Sequence, residues 1–317
     1  MRNGYLGAAA CGAFLLLGAC GGGGGSHPNP VPPPPTIASA FPVTKSGSFD
    51  TITANRSYTV PNGTIAMDRM GVSGRSPAMT FSYDAATGSY TVHDASASAT
   101  FTAADRTSTA GNIDAYAKQT TSAFYDELKL YNNVRSGTSQ AGSAVQLTYL
   151  SFGAWKHNDN TALDKLNTTY FLVGYPTAVS DMPKTGSASY ATTVTGNLVN
   201  IAIGAPESEV GGTATFTANF GTGAVNTDLS LNVVATQTSL GTFSGTGTIS
   251  ANEFNGTFTS PNNYFENGFF AGGFYGPAAK EMGYTFAIQR GAWDPYAGAT
   301  AAPFMSWIVG SVVGKKN

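Results

Sequence analysis

The feature that most constrains this chain is a two-residue alternation that returns again and again. Thr213, Thr215, Thr217 and Asn219 alternate with Ala214, Phe216, Ala218 and Phe220. Asp228, Ser230 and Asn232 alternate with Leu229, Leu231 and Val233, and Thr242 to Ile249 repeats the pattern with Gly245 and Gly247 on the apolar side. Side chains of a strand point to opposite faces with period two, so each run predicts a strand with one wet and one dry face. Ten threonines fall between 201 and 250, and a β-branched hydroxyl suits the solvated face of a sheet. Gly221-Thr222-Gly223, Ala251-Asn252 and Ser260-Pro261-Asn262-Asn263 are turn signals between the runs.

Eight strands are expected in the C-terminal half. They lie near 146–155, 168–174, 186–195, 213–220, 224–234, 242–250 and 254–259, with a last segment within 267–290. Neighbouring antiparallel strands of this regularity favour a closed barrel, which has no sticky edge. The small/large alternation of Phe243, Gly245, Gly247 and Ile249 suits a packed lumen. The N-terminal half is also mainly β. Met79–Tyr83, a turn through Asp84–Gly88 and Tyr90–Val92 form a hairpin, and Asp126–Tyr131 is a strand. One short helix is expected within 110–125. The fold class is therefore mainly β: an N-terminal β-rich handle domain over 41–145, then an eight-stranded antiparallel β-barrel over 146–290.

Composition narrows the function classes. Only 11% of the 317 residues are charged and 42% are hydrophobic, which excludes a coiled coil and a disordered polyelectrolyte. With 16 cations against 18 acids there is no basic excess to neutralise phosphates, so no nucleic acid partner is expected.

The N-terminus is an address. Arg2 precedes a mostly apolar stretch, Tyr5 to Leu17, that is too short to span a bilayer as a helix. It ends in Leu17-Gly18-Ala19-Cys20, which resembles the lipobox of bacterial lipoproteins. That resemblance implies removal of a signal peptide, residues 1–19, and lipid attachment at Cys20. Two or more acyl chains anchor stably where one does not. The only other cysteine, Cys11, would leave with the signal, so no disulfide or thiolate metal site is expected. Losing Arg2 leaves 15 cations against 18 acids, a mature charge of −3. Residues 20–40 form a Gly- and Pro-rich tether, whose 20-residue coil spans roughly 25 Å.

Several motifs together resemble the transferrin-binding protein B-like surface lipoproteins of Gram-negative bacteria. The most specific is Gly272-Gly273-Phe274-Tyr275-Gly276-Pro277, followed by Ala278-Ala279-Lys280-Glu281-Met282-Gly283-Tyr284-Thr285-Phe286. It is similar to the family's final hairpin, with Tyr284 in place of the second glycine of the usual close. Met182–Gly186, Asn219–Gly223, Ser244–Gly247, Leu147–Tyr149 and Phe152–Trp155 support it. The resemblance implies one lobe of handle plus barrel. It also implies lipid anchorage in the outer membrane, facing the cell exterior. Its implied partners are an iron-bearing ligand (haem or a host protein), an outer-membrane translocator and a receptor. Pro277 and Gly283 are expected to open and close a short helix within the motif. The alternative reading is a structural or adhesive envelope lipoprotein with no solute ligand.

Catalytic chemistry is scarce. The three histidines are His27 in the tether, His93 at a strand end and His157 in His157-Asn158-Asp159, which is expected to be a solvated loop. Neither the metalloprotease helix motif nor the hydrolase nucleophile elbow occurs. The acidic pairs Glu207/Glu209 and Asp126/Glu127 are expected on solvated turns or faces. No enzyme activity, metal or cofactor is predicted. The aromatic run Tyr264-Phe265-Glu266-Asn267-Gly268-Phe269-Phe270 either fills the barrel or supplies interface anchors. Residues 291–317 form a C-terminal extension, with Trp293–Tyr296 a turn and 301–314 apolar.

Overall fold

The structure is a computed structural model. It describes residues 43, 45–61, 65–110, 113–119, 121, 124–131, 145–159, 165–200, 207–261, 265–291 and 306–317. The expected signal peptide, tether, Cys20, His27 and Trp293–Tyr296 lie outside these residues. Nine strands form the first sheet: β1 (Gly47–Thr59), β2 (Ala66–Asp84), β3 (Ser89–Asp94), β4 (Ser98–Phe101), β5 (Arg106–Ala110), β6 (Ile113–Gln119), β7 (Phe124–Tyr131), β8 (Leu150–Asp159) and β9 (Lys165–Gly174). Their order is β4-β3-β2-β1-β9-β8-β7-β6-β5. The two edge strands, β4 and β5, are joined by only Thr102–Asp105. Four residues reach at most about 14 Å, so the sheet must curl until its edges approach. Lys118 on β6 donates to the Thr100 carbonyl on β4 across that approach, at 2.9 Å. Phe81, Tyr90, Phe101, Tyr116, Leu128, Trp155 and Phe171 fill the curled interior.

The second body is a closed eight-stranded barrel: β10 (Ser187–Asn200), β11 (Ser208–Asn219), β12 (Ala224–Val233), β13 (Ser239–Ser250), β14 (Glu253–Thr259), β15 (Phe265–Tyr275), β16 (Glu281–Arg290) and β17 (Ser306–Lys316). Its lumen is solid with rings. Phe216 and Phe274 each lie 5.1 Å from Phe254, and Phe258 lies 5.1 Å from Phe270. Glycines make room for them: a Cβ on Gly256 or Gly272 would collide with the ring of Phe270 or Phe254. The alternation on β13 therefore serves packing, with Gly245 lying under Thr227 and Phe258.

Handle and barrel share a broad dry contact. From Thr51 to Tyr58, β1 is buried at every position but Asn55, because one face looks into the handle and the other onto the barrel. Ile52 and Ala54 join Leu150, Phe152, Ala154, Tyr170 and Leu172 against Ala271, Tyr275, Ala287, Val309 and Val313. The segment between β9 and β10 is pinned to the barrel's end. The Thr177 hydroxyl donates to the Gly276 carbonyl at 2.6 Å, and the Asn252 amide donates to the Thr177 carbonyl at 2.6 Å.

Four expectations need correction. The segments near 146–155 and 168–174 are not barrel strands: they are β8 and β9 of the first sheet, with β9 laddered to β1. The barrel consequently begins at Ser187, not at 146. The expected C-terminal extension supplies β17, which closes the barrel by pairing with both β16 and β10. In place of a helix within 110–125 stand strands β6 and β7, which pair from Ile113↔Tyr131 to Gln119↔Tyr125. In the Gly272–Phe286 motif, Pro277–Ala279 make a single 3-10 turn and Gly283 lies within β16. Gly283 is a contact glycine: Leu150 and Leu172 of the handle sit where its Cβ would be. Positive φ falls instead on Gly276, at 71°, and on Ala278 and Ala279, at 51° and 55°.

Filling a glycine notch should break the lumen, whereas the wet face should tolerate change. Gly272→Val is expected to destabilise by about 1–3 kcal/mol or more. Thr246→Val on the exposed face should stay within about 0.5 kcal/mol. Urea unfolding midpoints at constant slope check both.

Candidate functional site

The site is the join between handle and barrel, where the alternation of β1 puts Ile52, Ala54 and Arg56 on the barrel-facing side. Two apolar residues are followed by a guanidinium with 1% exposure. Burial pulls the Arg56 pKa down and the nearby Glu207 carboxylate opposes the fall. Such a cation needs partners on every side. Its Nη2 donates to Glu207 Oε1 at 2.9 Å and to Asn197 Oδ1 at 2.7 Å. Its Nη1 donates to the carbonyls of Asn197 and Trp307, both at 3.3 Å. Lys156 on β8 pairs with the other Glu207 oxygen. One carboxylate therefore ties β1 and β8 of the handle to the start of β11. The Tyr58 hydroxyl donates to Glu207 Oε1 at 3.5 Å, and burial pushes its pKa up to about 12.

A second carboxylate pins the opposite end of the join. Glu281, at the start of β16, is fully buried and accepts the backbone N–H groups of Thr148, Tyr149 and Leu150 at 2.6, 2.8 and 2.9 Å. Burial drives its pKa up and the three N–H donors restrain the rise.

A groove of about 200 Å³ opens beside this network. Tyr131, Phe152 and Tyr170 of the handle face Val194, Val210 and Val234 of the barrel across it, and Lys129 and Glu209 form an ion pair on its rim. Val234 is 44% exposed, unusual for an apolar side chain here. Aromatic and branched walls with a paired charge at the mouth are the composition that recognition surfaces use, which makes the groove the candidate site. Among the described residues no cluster of three or more His, Cys, Asp or Glu could hold a metal.

The sequence-predicted candidates scatter. His93 is exposed on β3. His157 is not in a loop but within β8, where its Nδ1 meets Asp126 Oδ1 at 2.9 Å. The same oxygen accepts Trp155 Nε1–H at 2.9 Å, and the Phe124 ring stacks 6.0 Å from the imidazole. Asp126 is thus a buried anchor of the handle core rather than a solvated acid. Glu207 is likewise no solvated turn residue, since it holds Arg56, whereas Glu209 is the rim acid. Of the aromatic run, Phe265 and Phe270 turn inward and Phe269 outward at 44% exposure; Tyr264 lies outside the described residues. Sequence reasoning missed Arg56, Asn197 and Glu281. Arg56 had a signal: a lone cation in phase with Ile52 and Ala54 on a dry face, in a chain with few charges.

Two measurements test these electrostatics. Glu207→Ala strands Arg56 in the interior and should cost about 3–5 kcal/mol, and adding Arg56→Met should recover most of the loss. The Asp126 hydrogen bond raises the His157 pKa above its usual 6.5. A raised histidine pKa stabilises below the unfolded-state value, and the benefit is lost as pH rises through the folded-state value. The stability gap between the parent and His157→Asn, measured in urea, should therefore be wider at pH 5.5 than at pH 8.5.

Residues 182–303 match the family described as the C-lobe and N-lobe β-barrels of transferrin-binding protein B. No curated protein sequence matches the chain. Among solved structures, HpuA from Kingella denitrificans in complex with human haemoglobin overlays at 16% identity and a TM-score of 0.40, covering 90% of this chain and 91% of that one. A transferrin binding protein B mutant from Haemophilus parasuis overlays at 16% identity and 0.35, covering 86% and 77%. The isotype 1 transferrin binding protein B of serogroup B Neisseria meningitidis overlays at 15% identity and 0.36, again covering 86% and 77%. Over whole chains these overlays are loose. The family match takes in β10 to β16, the strands whose glycine notches and rings fill the lumen, so the barrel of this chain is similar to the barrels of transferrin-binding protein B.

Proposed function

We propose that this chain is a surface binding protein, not an enzyme, which captures an iron-bearing ligand (haem or a host protein) at the handle–barrel join for delivery to an outer-membrane receptor. The observation that carries the proposal is the family match over the barrel, set beside a groove at the handle–barrel join. Lipid on Cys20 would moor the protein in the outer membrane, and the following tether would let the folded body stand off the bilayer. A translocator would bring it to the exterior. Loops and grooves on a rigid scaffold are where such proteins bind, and here the scaffold is rigid because the two bodies share a core.

The test is co-purification. Full-length protein taken natively from membranes should carry, or retain on challenge, a haem- or iron-bearing ligand, and haem titration should change its absorbance. Absence of any iron-bearing partner together with a flat haem spectrum would overturn the reading. Protease treatment of intact cells should remove the protein, and removal only after lysis would contradict surface display. Mass spectrometry should find Cys20 acylated.

A further inference from the structure

One end of the barrel gathers cations that nothing neutralises. The strand register places five segments there: 175–186, 219–224, 250–253, 275–281 and 315–317. They hold four lysines, Lys184, Lys280, Lys315 and Lys316, in a chain whose net charge is −2. The three acids of the same segments are engaged. Asp181 accepts the Ala278 N–H at 2.8 Å, and Glu253 pairs with Arg75. The buried Glu281 lies opposite Lys315 and accepts three N–H groups. Lys184, Lys280 and Lys316 make no ion pair among the described residues. Lys280 and Lys316 hold their ammonium groups over the rings of Tyr149 and Phe220, at 5.8 and 5.7 Å. Beside them stands an apolar tip made of two 3-10 turns, Val179–Asp181 and Pro277–Ala279, which the Asp181–Ala278 bond ties together. Val179 is 53% exposed, and Pro176, Ala178 and Ala278 are exposed with it. The tip is fixed from below, because Thr177 and Tyr190 donate to the Gly276 and Ala279 carbonyls at 2.6 and 2.7 Å. Ala278 and Ala279 have φ of 51° and 55°, a conformation that glycine takes at no steric cost. Alanine at 278 bears the strain and puts a methyl group on the surface.

We propose that this end of the barrel docks on the phosphate-bearing surface of an anionic lipid bilayer. Charge complementarity argues for it. Ammonium groups without carboxylate partners, on a chain that is negative overall, select a negative surface, and each lysine near such a surface strengthens the attraction. The apolar tip argues for a bilayer over an acidic protein. Val179, Ala178 and Ala278 project from turns, so they are placed to enter a soft headgroup layer. The lysines around them have long apolar stems that keep the ammonium groups at the level of the phosphates while the methyl groups go deeper. A tip pinned by buried hydrogen bonds loses little conformational freedom on docking. This inference goes beyond the proposed function and does not rest on it, since it needs neither an iron-bearing ligand nor lipid on Cys20.

Vesicle sedimentation tests it on the full chain carrying Cys20→Ser, so that no acyl anchor contributes. At low salt the chain should bind vesicles of phosphatidylcholine and phosphatidylglycerol in equal parts, and bind pure phosphatidylcholine vesicles far more weakly. Added salt should release it from the anionic vesicles. Lys184→Glu, Lys280→Glu and Lys316→Glu should each weaken binding about fivefold or more. Arg69→Glu, which changes an exposed cation on β2 of the handle, should leave binding within about twofold. Val179→Asp should also weaken binding about fivefold. All of these positions are on the surface, so each variant should keep the melting temperature of its parent. Equal binding to both kinds of vesicle, binding to neither, or an Arg69→Glu loss as large as the lysine losses would overturn the proposal. Losses from the lysine changes with Val179→Asp silent would point to an acidic protein as the partner and overturn it as well. None of these readouts involves haem, iron or the groove of the join, so their failure is distinguishable from failure of the ligand assignment.

Discussion

Arg56 has almost no exposure to water, yet it sits between two all-β bodies and is held from both. Its neutralising carboxylate, Glu207, comes from the edge of the barrel, and two of its acceptors are barrel carbonyls. A guanidinium in that position is tolerable only while both bodies are in place, since separation would leave it beside an apolar face with its partners gone. The surrounding packing depends on the same condition. Ile52 and Leu172 on the handle and Val313 and Tyr275 on the barrel form a dry cluster across the same join. Handle and barrel are thereby one object rather than two domains on a linker, and the groove beside them has fixed walls.

The barrel meets a different demand. Eight strands enclose a lumen packed with aromatic and aliphatic side chains, and Gly245, Gly247, Gly256, Gly272 and Gly310 make room for its rings. With the lumen filled, the groove that handle and barrel form together lies outside the barrel, at the join. The outward faces of β11 to β14 are mostly hydroxyls, which keeps the rest of that wall wet.

Much of this was legible in the sequence because one-sided strands advertise themselves. The hairpins from Thr213 to Ile249 alternate cleanly and stand where the pattern puts them. The strands that were misplaced or missed have both faces covered. β17 reads Ser306-Trp307-Ile308-Val309-Gly310 with no alternation because the lumen takes one face and the handle the other, so it resembles an apolar tail. β8 and β9 are strands by pattern, but period two does not say which sheet a strand joins; that depends on β1, some 120 residues earlier. β6 hides its phase because a buried acid, Asp114, shares the dry face with Tyr116. The join was the least legible part. Arg56, Asn197, Glu207 and Glu281 are far apart in the chain, and each alone looks like an ordinary polar residue.

If the buried charge and the shared core make handle and barrel a single cooperative body, differential scanning calorimetry should show it directly. The account predicts one unfolding transition whose calorimetric enthalpy equals its van't Hoff enthalpy. Two resolved transitions, with the handle melting while the barrel persists, would contradict it.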